Sequence, residues 1–96
     1  MDDAAADERW LVVNGRRWRR TDPSLPDDVV EALKSHLGSA RSAVRNAPDD
    51  DARAEARRRV GLAKRGLGER GERWWERAES DRLEQARSAL SELEAR

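Results

Sequence analysis

A mainly α-helical fold with a small β part (α+β) follows from three features of this chain. An Asn-Gly pair sits between a short apolar run and an Arg/Trp run near the start, three later stretches repeat apolar residues every three or four positions, and Pro or Gly punctuates the gaps between them. The expected architecture is an N-terminal two-stranded hairpin, an antiparallel helix pair and a C-terminal helix. At 96 residues the chain makes one small domain, with a thin core. Residues 1–8 hold four acids, no base and no apolar pattern, so they are expected to be disordered.

The hairpin is expected over residues 9–20. Asn14-Gly15 suits a two-residue type I′ turn, where both central residues need positive φ. That loop sets the register: Val13 faces Arg16, Val12 faces Arg17, Leu11 faces Trp18 and Trp10 faces Arg19. One face then carries Leu11, Val13 and Trp18, and is expected to pack on the helices. The other carries Trp10, Val12, Arg17 and Arg19, with Arg19 expected over the Trp10 ring.

Thr21 to Pro26 reads as a turn-rich connector, and Pro26 with Asp27 and Asp28 opens a helix expected over about 26–46. Val30, Leu33, Leu37, Ala40, Val44 and Ala47 form its stripe. Pro48 stops it, and Asp49 to Asp51 start a second helix over about 50–67 with an Ala-rich stripe, Ala52, Ala56, Val60, Ala63 and Leu67. The short loop makes the two antiparallel neighbours. Gly66, Gly68 and Gly71 end the second helix. A third is expected over about 73–95, striped by Leu83, Ala86, Leu90 and Leu93, with a fresh start at Ser80 as the alternative. One of Trp74 and Trp75 is expected to close the end of the core. Adjacent helical residues point about 100° apart, so a helical Trp pair would not share one core.

Composition removes several chemistries. There is no Cys, so disulfides and thiolate metal sites are out and a cytoplasmic location is expected. The lone His36 has no ligand set around it, and Asp49-Asp50-Asp51 lacks the spacing of a calcium loop. "GLAKRGLGERG" fails the Walker pattern, because Leu67 stands where Lys should follow Gly66. The first residues do not read as a signal peptide, and no run is long enough to span a membrane. No enzyme activity, cofactor, metal or membrane partner is therefore expected. A phosphate-handling enzyme built on Arg17, Arg19 and Arg70 lacks a general base.

Charge is distributed in blocks. Residues 9–20 hold five Arg, residues 21–51 hold seven acids against three bases, and residues 52–77 hold nine bases against four acids, within a chain of net charge zero. Complementary blocks suggest self-association, so the expected function is a small protein-interaction module whose partner is a second copy or another protein. The alternative is a nucleic-acid-binding accessory protein that uses the Arg/Trp hairpin, since basic side chains beside aromatic rings suit phosphates and bases. The candidate interaction surface is Trp10, Arg17 and Arg19 on the hairpin, with Arg53 and Arg57 four apart on the second helix.

Read together, "GRRWRRTDPSLP" at 15–26, Leu33, Leu37, Ala40-Arg41, Ala43-Val44 and "RVGLAKRGLGERGERWW" at 59–75 resemble a family of short bacterial proteins often labelled biopolymer transporter Tol. The label itself implies little, and a transport role finds no support in the residues. The residues show no propeller-like repeat, and no catalytic residue is carried over. This chain departs from the family by continuing past Trp75 into a charged helix of about twenty residues.

Overall fold

The computed structural model describes residues 8–95. The acidic stretch 1–8 falls outside the described residues apart from Glu8. A two-stranded antiparallel hairpin, β1 (Trp10–Val13) and β2 (Arg16–Arg19), precedes three helices, α1 (Asp27–Arg45), α2 (Asp50–Gly66) and α3 (Glu79–Glu94), with a 3-10 turn at Trp74–Glu76 before the last. The hairpin register is Trp10 with Arg19, Leu11 with Trp18, Val12 with Arg17 and Val13 with Arg16. Asn14 and Gly15 both take positive φ, 52° and 79°, as a type I′ turn requires.

Each helix is bounded for a local reason. Pro26 and the first-turn acids Asp27 and Asp28 open α1, and Asn46 closes it with hydrogen bonds back to Ser42. The Asp49 carboxylate accepts the Ala52 amide at 2.8 Å and caps α2. Beyond α2 the chain turns through Gly68 at φ +82°, where an added Cβ would also come within 3.0 Å of the Asp22 Cβ.

The core lies where the three helices meet. Val29, Leu33 and Leu37 of α1, Ala63 of α2, and Ala86, Ala89 and Leu93 of α3 are buried together with Leu25 and Leu67. Small residues let the helices approach closely. A Cβ on Gly66 would lie 3.0 Å from the Ala89 Cβ and 3.1 Å from the Leu33 methyls.

Three expectations are corrected. Leu11, Val13 and Trp18 do not enter the core: they are 43%, 44% and 43% exposed. A four-residue ribbon has little area to bury: only its Trp10/Arg19 end packs on the helical body, and Val12, on the same face as Trp10, is 65% exposed. Arg19 does not lie over Trp10. Arg17, the diagonal cross-strand neighbour, sits 4.2 Å from that ring, while Arg19 reaches Trp75. The helix expected from residue 73 starts at Glu79, because Arg77 and Ala78 are extended, and Ala78 rather than Ser80 occupies its N-cap.

Candidate functional site

The hairpin is fastened to the helical body by aromatic and arginine contacts. Trp75 meets Trp10 edge-on at 5.6 Å and Trp74 at 5.2 Å. Trp74 is buried, and its indole Nε1 donates to the Arg20 carbonyl at 3.0 Å. The 3-10 turn is what lets two adjacent tryptophans serve one cluster, with Trp74 inward and Trp75 sideways. Arg19 Nη1 donates to the carbonyls of Gly71 at 2.9 Å and Glu72 at 3.1 Å, so its charge is spent on carbonyls that the glycine turn leaves unpaired.

Asp22 locks the connector beneath. It is 2% exposed, accepts from the Ser24 amide and hydroxyl at 2.9 and 2.8 Å, and pairs with Arg82 of α3 at 3.3 Å. Its own amide donates to the Leu67 carbonyl at 2.9 Å. One short acidic residue thus joins the hairpin connector to the end of α2 and the start of α3.

Around these fixed points the arginines fall into two groups. Along the α2–α3 side they are engaged. Arg58 bridges Glu55 and Glu92 at 3.0 Å each, Arg59 donates to the Leu93 carbonyl at 2.7 Å, and Arg77 donates to Gln85. Hydrogen bonding from Arg58 holds the Glu55 carboxyl below the ordinary glutamate range. Along the α1–α2 side they are not. Arg41, Arg45, Arg57 and Arg70 line one open groove of about 420 Å³ with Val44 and Val60. Their side chains make no ion pair or hydrogen bond among the described residues. The Arg70 guanidinium rests on the α2 surface at Gly61, its Nη1 3.6 Å from where a Cβ would stand, a distance an added methyl would accept.

A second, larger hollow of about 770 Å³ adjoins it and shares Arg41. Its walls are the exposed hairpin face, Leu11, Val13 and Trp18, and the helical cations Lys34, Arg41 and Lys64, with Glu8 and Glu69 as the carboxylates. Glu69 is already held by the Thr21 hydroxyl at 2.6 Å. Partial burial pushes the Lys64 ammonium below its ordinary range, and the neighbouring Arg70 and Arg41 push it the same way. Lys64 and Arg16 both approach the Trp18 ring, at 5.7 and 4.8 Å.

No family model, curated protein or solved structure matches this chain. Its own geometry is therefore what any functional reading rests on. No helix among the described residues is long and apolar enough to cross a membrane. No group of three or more His, Asp or Glu side chains gathers there as a metal site would require.

The residues singled out in the sequence do not form one surface. Trp10 and Arg17 stack on each other on the hairpin, and Arg19 is tied to the glycine turn. Arg53 pairs with Asp50 at 3.2 Å. Only Arg57 joins the cationic groove. Sequence reasoning missed Arg41, Arg45 and Lys64, and assigned Trp18 to the core. A signal was present: Arg41 and Arg45 stand four apart beside Val44, and Arg57, Gly61 and Lys64 recur at four and three. Only the pairing of α1 with α2 sets the two runs side by side.

Proposed function

We propose that this chain is a non-enzymatic accessory protein that binds nucleic acid along the α1–α2 groove. The observation that carries this reading is the convergence of Arg41, Arg45, Arg57 and Arg70 on one groove whose wall contains no carboxylate. Holding four like charges together without a counter-charge costs folding free energy, and a polyanion offsets that cost. Arginine suits the role, because its planar fork contacts phosphate oxygens in pairs. A cytoplasmic setting belongs to the same reading, since a chain without cysteine suits a reducing compartment. The test is anisotropy of labelled DNA and RNA at a series of salt concentrations. Micromolar binding at low salt is expected, with a log–log salt slope of about −3 for four phosphate contacts. Arg41→Ser combined with Arg57→Ser is expected to weaken it at least about tenfold. Absence of binding at low salt, or unchanged binding by the double variant, overturns the reading.

A second reading, a self-associating protein-interaction module, is favoured by a different observation. Val12 is 65% exposed, and neither strand of the two-stranded sheet has a further strand beside it among the described residues. It expects a concentration-dependent mass of twice the chain by light scattering, lowered by Val12→Pro. A monomer at the highest concentration measured argues against it.

A further inference from the structure

We infer that the nucleic acid taken by this groove is single-stranded, and that a base stacks on Trp18 at the end of the cationic run. The inference rests on the nucleic-acid reading and adds the class of ligand. Arg57 and Lys64 lie seven residues apart on α2, two helical turns or about 10 Å, with Arg70 resting on Gly61 between them. Arg41 and Arg45 run one turn apart along the facing side of α1. This double row leads from the four-arginine groove, through the shared Arg41, into the hollow beneath the hairpin. There Trp18 stands 43% exposed, an indole that the fold leaves out of its core.

The exposure of Trp18 is what separates a single strand from other polyanions. Phosphates alone are satisfied by the arginines and leave the ring unused. In a duplex the bases are stacked inside, and none is available to an indole set in a recess. A strand with unpaired bases uses both features, phosphates on the guanidiniums and one base on the ring. Arg16 and Lys64 lie over the ring at 4.8 and 5.7 Å, so a stacking base takes a face now held by a cation, and the displaced cation turns to its phosphate. An acidic peptide matches the charges but brings no planar base.

The experiment compares four probes on the whole chain: labelled oligo(dT), a duplex of equal length, inorganic polyphosphate and poly-glutamate. Each is measured against the parent, Trp18→Leu and Trp18→Phe. Oligo(dT) is expected to bind tighter than the duplex and poly-glutamate. Trp18→Leu is expected to weaken oligo(dT) about tenfold, leave polyphosphate unchanged, and be largely rescued by Phe, which keeps a π-face. Because Trp18 lies outside the core, circular dichroism of both variants should match the parent. Equal affinity for the duplex or poly-glutamate overturns the inference, as does a Trp18→Leu variant that loses both ligands equally or neither. The nucleic-acid reading fails separately, by no binding of either oligo(dT) or the duplex at low salt.

Discussion

Lys64 carries the clearest tension at the level of single residues. Its ammonium is partly buried and faces Arg70 and Arg41, which lower its affinity for a proton in the folded state. The unfolded chain holds that proton more tightly, so the cost of keeping Lys64 charged is present in full below its lowered folded-state value and is relieved as pH rises from there to the ordinary lysine value of ~10.4. Lys64→Met is therefore expected to raise the melting temperature at pH 7, with the gain shrinking as pH approaches 10. The same variant should weaken nucleic-acid binding and flatten the salt slope by about one unit or less. Opposite signs in melting and binding mark a residue kept for a ligand rather than for the fold; loss of both would indicate a structural role.

Asp22 and Gly68 are the reverse case, residues whose contacts all serve the fold. Asp22→Ala leaves Arg82 with Glu79 as its ion-pair partner among the described residues and removes the acceptor of the Ser24 amide. Breaking a buried pair in this way should cost about 3–5 kcal/mol, read by urea denaturation. Gly68→Ala meets both a positive φ and a Cβ that would stand 3.0 Å from Asp22 and 3.1 Å from Trp74. A cost of about 1–3 kcal/mol is expected from the same measurement. A neutral result at either position would mean that the connector is not held as described.

Among the elements, the hairpin and the helices differ in what supports them. A two-stranded ribbon is marginal by itself, and here its attachment runs through Trp10 on Trp75 and Arg19 on the glycine turn. Trp75→Ala is therefore expected to release residues 10–19 while α1, α2 and α3 stay folded. Amide hydrogen exchange should show protection lost in the strands and kept in the helices. Uniform loss across all elements would show that hairpin and helices fold as one unit. The local rules were legible for this ribbon: Asn14-Gly15 dictates the turn, and a two-residue turn dictates the register. That only the Trp10/Arg19 end would be covered was not legible, because period-two alternation makes the apolar face of Leu11, Val13 and Trp18 the natural choice. Trp75, more than fifty residues away, decided the matter by offering Trp10 a ring.

The helices show the same division. Leu33, Leu37, Ala63, Ala86 and Leu93 sit where their periodicity placed them, in the core. The start of α3 does not, since the Trp74-Trp75 pair reads as part of a continuous helix. It takes the 3-10 turn because Trp74 must reach the Arg20 carbonyl while Trp75 reaches Trp10.

For the molecule as a whole, a net charge of zero conceals segregation. Arginines on the α2–α3 side neutralise Glu55, Glu92, Asp22 and Glu79, whereas those on the α1–α2 side face an open groove. Exposed pairs such as Arg58 with Glu92 contribute little to stability and are screened by salt. Raising salt from 50 to 500 mM should thus shift the melting temperature little while abolishing nucleic-acid binding, about 10³-fold for a slope of −3. Comparable losses in both would mean that the ion pairs, and not the groove, dominate the electrostatics.

The sequence alone determined the element types, the hairpin register and most of the core, because turn chemistry and apolar period act over a few residues and need no knowledge of the rest. It also contained every charge in the groove. Only the tertiary structure decided which of those charges stay unpaired. That depends on which helix lies beside which, and on the hairpin docking by its Trp10/Arg19 end and leaving Trp18 over the cations. Pairing and exposure are properties of distant segments brought together, so no local pattern could carry them.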